Sequence, residues 1–111
     1  MRAIAYLAIL LAIHCIVGGW GDIKQVSENQ DLMNIVSNLK PSIESSTNIV
    51  YTTFNPTQFR SQVVAGTNYK VKIDIGNGEY IHVKIYVPLP FTKTAPTVSE
   101  IVTGMKVESE L

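Results

Sequence analysis

The sequence predicts an α+β domain, with one amphipathic helix packed on a bent antiparallel sheet. Three observations carry that prediction. Leu32, Ile35, Val36, Leu39 and Ile43 recur at the three-and-four spacing of a single helix face. Tyr69, Val71, Ile73 and Ile75 alternate with Lys70, Lys72 and Asp74. After Gly76-Asn77-Gly78 the alternation resumes with Ile81, Val83, Ile85 and Val87 against His82, Lys84 and Tyr86, the pattern of a hairpin with one face covered. Pro56 interrupts the stretch 49–64, which is otherwise rich in Val, Ile, Thr, Tyr and Phe. Proline donates no ladder hydrogen bond, so a bulge or bend is expected there.

In chain order, Met1-Arg2 followed by the apolar run from Ala3 to Ile13 has the charged start and short hydrophobic region of a secretory signal. The run is too short to span a bilayer, which takes roughly 20 residues. A signal over residues 1–15 and a folded domain over 16–111 are expected. Cleavage falls between positions 15 and 19, where small residues cluster. Cys15 is the only cysteine and lies at the edge of this signal, so the mature domain has no internal disulfide and relies on its core alone.

Ser27 with Gln30 three residues later reads as a capping box at the start of the helix. Pro41 falls within the apolar period and is expected to kink or nearly end the helix by removing one backbone hydrogen bond. The cluster Ser45-Ser46-Thr47-Asn48 then marks a turn into the strand-like stretch 49–64. Pro88-Leu89-Pro90-Phe91 breaks the sheet after the hairpin, and Thr97 to Val107 reads as a last, less regular strand.

At 111 residues, 46% apolar and 16% charged, the chain fits one small globular domain. A formal net charge of zero gives no footprint for nucleic acid or for an anionic membrane surface. Cysteine-based catalysis would have to use Cys15 and His14, which both lie in the apolar leader. His82 has no His, Cys or carboxylate at ligand spacing, so no metal or cofactor is expected. Lys70 and Lys72 read as solvated residues of the sheet's polar face, where substitutions should do little.

Function has to be read from the loops. Gln62-Val63-Val64-Ala65-Gly66-Thr67-Asn68-Tyr69 contains a Gln-x-Val-x-Gly pattern, and it continues through His82-Val83-Lys84-Ile85-Tyr86 to Leu89-Pro90. This stretch resembles the stefin and cystatin family of cysteine-protease inhibitors. Lys40-Pro41 matches the Lys-Pro of the stefin helix, and Ile16-Val17-Gly18-Gly19 resembles the Leu-Val-Gly-Gly trunk of secreted cystatins. The lack of disulfides is stefin-like, while the leader is not. Pro56, Pro88 and Phe91 depart from common stefin sequences.

The resemblance implies the cystatin-like fold, one helix on a bent antiparallel sheet of four to five strands. It also implies a wedge built from the trunk and two hairpin turns, which enters the cleft of a papain-like protease of the cathepsin type. On this reading the protease-binding residues are Val17, Gly18 and Gly19 of the trunk, Gln62, Val63, Val64, Ala65 and Gly66 of the first turn, and Leu89 and Pro90 of the second. The residue types suit the task. Val63 and Val64 offer apolar surface, Gly66 permits positive φ and close backbone approach, and Pro90 lowers the entropy lost on binding. Phe91 either projects as an anchor or folds inward. A secreted or endolysosomal monomer follows, with hairpin-exchange dimers compatible with the architecture. The alternative is a secreted module that keeps this scaffold without inhibiting.

Overall fold

A computed structural model describes residues 19–111. Residues 1–18, including the expected signal with His14 and Cys15 and the trunk positions Val17 and Gly18, lie outside the described residues. The described chain forms β1 (Lys24–Gln25), a 3-10 turn (Val26–Glu28), helix α1 (Gln30–Thr47), β2 (Asn55–Val64), β3 (Gly66–Gly76), β4 (Glu79–Val87), a second 3-10 turn (Pro90–Thr92) and β5 (Thr97–Met105). The strands form one antiparallel sheet in sequence order, β1-β2-β3-β4-β5. One helix against a five-stranded antiparallel sheet is the predicted architecture.

The core lies between α1 and one face of the sheet. Leu32, Val36 and Ile43 of the helix are buried with Val26 against Phe59, Val71, Ile73, Ile81, Val83 and Ile85. Ile35 and Leu39 flank them, half-buried. Each fully buried Leu or Ile side chain contributes about 1.5–3 kcal/mol relative to exposure. Register lines the apolar set up across the strands, with Val71 opposite Val83 and Ile73 opposite Ile81.

Three local expectations are corrected. The helix is capped by Asn29, whose side-chain oxygen accepts from the Leu32 amide at 3.0 Å, and Ser27 sits in the preceding 3-10 turn. An amide carbonyl oxygen caps as well as a hydroxyl, and the two-residue offset puts Leu32 on the core. The helix also runs past Pro41 to Thr47, taking in three residues of the expected turn cluster, and Asn48 closes it in the left-handed conformation. Pro41 and Ser37 are both exposed, so the Ser37 carbonyl freed by proline meets water, while buried Ile43 holds the last turns on the sheet.

The strand-like residues 49–54 do not pair. Tyr51 is buried instead, its amide donating to a Glu44 carboxylate oxygen at 2.8 Å and its hydroxyl to Thr47 Oγ1 at 3.0 Å. Phe54 packs on the Tyr51 ring at 5.8 Å between centroids. The segment therefore folds back on the helix end, and β2 begins at Asn55.

Pro56 acts as anticipated. The β2–β3 register shifts between Pro56 and Gln58, and Thr57 Oγ1 donates to the Lys72 carbonyl at 3.0 Å across the bulge. β1 pairs only with Gln58 and Phe59, so Pro56 lies beyond its reach on that side of β2. The β3–β4 hairpin turns through Asn77 and Gly78, both at positive φ, as a two-residue turn between right-twisted strands requires.

Candidate functional site

The first turn is the tip of β2–β3. Val64 pairs with Gly66, leaving Ala65 at the apex. Below it Gln62 faces Asn68, whose side-chain amide donates to Gln62 Oε1 at 3.0 Å and stiffens the stem. Val63 is 73% exposed and Val64 is also exposed. Neither apolar side chain has a place in the core.

Gly66 has a φ of 113°, in the left-handed region. A β-carbon there would sit 2.5 Å from the Val87 carbonyl oxygen and 3.2 Å from Pro88 Cα. The Tyr86 hydroxyl donates to the Ala65 carbonyl and clamps the apex to β4. Gly66 is therefore required inside this molecule, at the positive φ the sequence reading expected and against Val87 and Pro88 in addition to any partner.

The second turn follows directly, because Val87 is the last residue of β4 and pairs with Thr67 beside the first. The Leu89 carbonyl accepts from the Thr92 amide at 3.0 Å and from the Thr92 hydroxyl at 2.7 Å, and the Lys93 amide donates to the Pro90 carbonyl at 3.2 Å. This connection is stiffened from within. Leu89 is exposed and Phe91 is 78% exposed, which decides between the two sequence readings of Phe91 in favour of projection. The exposed Val63 and Val64 and the exposed Leu89 and Phe91 are thus carried by two adjoining turns.

The N-terminal segment reaches the same end. The Gly21 amide donates to the Ser61 carbonyl at 2.8 Å, and Arg60 Nη1 donates to the Gly21 carbonyl at 3.0 Å. Gly21 is thus held beside Ser61, three residues short of the Val64 end of β2. Gly19 is exposed, with nothing within 4 Å of where a β-carbon would stand. The first-turn residues and the start of the second turn are thereby gathered at one end, and the chain leading from Gly19 joins β2 at Ser61.

A family model described as the cystatin domain matches residues 19–107. The chain belongs to the cystatin family. It is 32% identical over 96 residues to cystatin-A of Felis catus, covering 86% of this chain and 96% of that relative. It is 39% identical over 94 residues to cystatin-A of Bos taurus, covering 84% and 89%. It is also 40% identical over 60 residues to leukocyte cysteine proteinase inhibitor 1 of Sus scrofa, covering 54% and 58%. Members of this family are protein inhibitors of cysteine proteases and not enzymes.

Elsewhere on the cystatin domain, the polar face of the hairpin differs from its sequence reading. Lys72 is 3% exposed and not solvated. His82, directly opposite it, has a buried Nε2 with no hydrogen-bond partner among the described residues. Burial, then the ammonium groups of Lys72 and Lys70, lower the His82 pKa below its ordinary 6.5, so the imidazole is held neutral. Among the described residues no group of three or more His, Cys, Asp or Glu side chains could hold a metal ion.

Sequence reasoning missed Tyr86 and Arg60 as supports of the site. For Tyr86 a signal was present. Counting back through the Asn77-Gly78 turn places it opposite Tyr69, and the register shift between Asp74 and Gly76 moves it one residue on, to Asn68 beside the first turn. For Arg60 no local signal existed, since its partner Gly21 is 39 residues away in sequence.

Proposed function

We propose that this protein is a reversible, tight-binding inhibitor of papain-like cysteine proteases of the cathepsin type. It plugs the active-site cleft with the first turn (Gln62, Val63, Val64, Ala65, Gly66), the second turn (Leu89, Pro90) and the N-terminal trunk (Val17, Gly18, Gly19). The observation that carries this reading is the contact between the two turns. Gly66 lies against Val87 and Pro88, which brings the turn bearing the exposed Val63 and Val64 up to the segment that leads into the exposed Leu89 and Phe91. An apolar edge with a rigid backbone suits a narrow groove, because little conformational freedom remains to be lost on binding. Inhibition then follows from shape. The turns fill the groove on both sides of the catalytic thiolate without offering it a strained or properly oriented peptide bond.

Such a monomeric inhibitor would form a one-to-one complex burying about 800 Å² per partner. Entry into the secretory route is part of the proposal. Its support is the apolar run Ala3 to Ile13, which precedes the start of the family match at residue 19. Cleavage after Cys15 leaves Val17 and Gly18 as trunk residues, whereas cleavage after Gly19 removes them.

Titration of papain and a panel of cathepsins with purified protein tests the reading. Stoichiometric inhibition is expected, and no inhibition at micromolar inhibitor would overturn it. Mass spectrometry of the protein from cells expressing the full chain fixes the mature N-terminus, and an intact Met1 would remove the secretory part.

A further inference from the structure

We infer that Trp20 is a positioning residue that latches the N-terminal segment to the outer face of the sheet and so sets where the trunk leaves the domain. The inference rests on the inhibitor reading for its consequence, and on geometry alone for the latch.

Lys70 and Lys84 stand directly opposite each other on β3 and β4, an arrangement of like charges that is unfavourable by itself. The Trp20 ring lies over both. The Lys70 ammonium is 4.5 Å and the Lys84 ammonium 5.8 Å from its centroid. An indole face carries negative charge density, so it attracts both ammonium groups and relieves their repulsion. Trp20 is half-buried there, ahead of the backbone bond from Gly21 to Ser61 and the Arg60 side-chain bond to the Gly21 carbonyl.

β1 is only two residues long, and it begins beyond Trp20. Besides the ring, the described contacts of this segment include the Gly21 amide bond to Ser61 and the Arg60 bond to the Gly21 carbonyl. With the ring in place, the chain at Trp20 is held at a fixed point on the outer face of the sheet. Fixing the root of the trunk lowers the entropy lost when trunk and turns enter one groove together.

The test uses two forms of the domain, one beginning at Ile16 and one at Trp20, each with Trp20 and with Trp20→Ala. The core residues lie between Val26 and Ile101, so both forms keep the whole core. In the form beginning at Ile16, Trp20→Ala should weaken inhibition of papain by about tenfold, with most of the loss in the dissociation rate. Trp20→Phe should restore most of it. In the form beginning at Trp20 the same substitution should change inhibition by less than about twofold. Equal losses in both forms, or no loss in either, overturn the positioning role.

The latch is read separately in the free protein by amide exchange. Trp20→Ala should speed exchange of the Gly21 amide by at least about tenfold relative to amides in β3. An unchanged Gly21 rate overturns the latch whatever the inhibition data show. A wild-type protein that fails to inhibit any papain-like protease sinks the inhibitor reading and the affinity role together, and the exchange data still decide the latch.

Discussion

The ammonium of Lys72 donates to the carbonyl of Val107 at 2.6 Å and again to that of Ser109 at 2.7 Å, tying the C-terminal segment across the outer face of the sheet. The Lys72 nitrogen also lies 5.2 Å from the centre of the Tyr80 ring. A lysine in the middle of a strand is thus a buried fastener. Lys72→Met removes the donor while keeping the stem, and leaves two carbonyls without their partner. A loss of about 1–3 kcal/mol in unfolding free energy is expected by urea denaturation, with inhibition of papain unchanged. A change within 0.5 kcal/mol, the range typical of surface substitutions, would mean that water replaces the ammonium at no cost.

Gly66 and Val64 should separate folding from binding. Gly66→Ala places a β-carbon against the Val87 carbonyl at a backbone conformation that strains any L-residue, so it should lower stability by more than about 1 kcal/mol and weaken inhibition too. Val64→Asp puts a charge on an exposed position. It should leave the unfolding midpoint almost unmoved while weakening the protease complex by about 2–4 kcal/mol. Inhibition titrations and thermal melts on both variants check this, and a stable, fully inhibitory Val64→Asp protein would place the binding edge elsewhere.

Phe91 offers a test of how far that edge extends. It is exposed and makes no contribution to the buried core, so Phe91→Ala should not change stability. If the ring enters the groove, binding weakens by about 1–2 kcal/mol, the range of a peripheral aromatic anchor. Inhibition constants measured against several cathepsins give the size of the effect for each groove.

His82 gives the stability of the domain a pH dependence of known sign. Its pKa is lowered in the folded state by burial, then by Lys72 and Lys70, so the unfolded chain binds the proton more tightly than the folded one. The folded state has its full stability above the ordinary value of 6.5. It loses part of it as pH falls through that value towards the lowered one. Lys84, Glu100 and Glu110 also line this face, and the two carboxylates moderate the local positive charge. Denaturant unfolding between about pH 7 and pH 5 should show a fall for the wild type that His82→Gln largely removes. Parallel curves for the two proteins would assign the fall to other groups.

Pro41 costs the helix one hydrogen bond without ending it. Pro41→Ala should therefore raise stability by about 1–2 kcal/mol, the restored helical bond and propensity being partly offset by a more flexible unfolded chain. Chemical denaturation measures this directly, and a loss of stability would mean that the proline ring packs in a way its exposure does not suggest.

The helix and the central hairpin were legible because each repeats one period over many residues, and a period fixes which side chains share a face. The bulge at Pro56 was legible because proline has a single backbone consequence. The stretch 49–54 misled for the converse reason. Its Val, Tyr and Phe suit a strand, yet Tyr51 finds its partners at Glu44 and Thr47 on the helix end, which only the folded chain brings close. The cap at Asn29 misled because Ser27 also fits the capping pattern, and the choice between them depends on which offset turns Leu32 inward.

The sequence by itself determined the α+β class, the Asn77-Gly78 turn of the central hairpin and the residues of both site turns, since these follow from local periodicity and from what glycine and proline allow, whereas the one-residue shift of register between Asp74 and Gly76 did not. Tertiary structure alone decided that Gly66 meets Val87, that Lys72 is buried beneath the C-terminal segment, and that Trp20 bridges Lys70 and Lys84. The reason is that each of these contacts joins segments distant in sequence across strand pairings or over a sheet face. Their energies depend on distances of a few ångströms that no local pattern encodes.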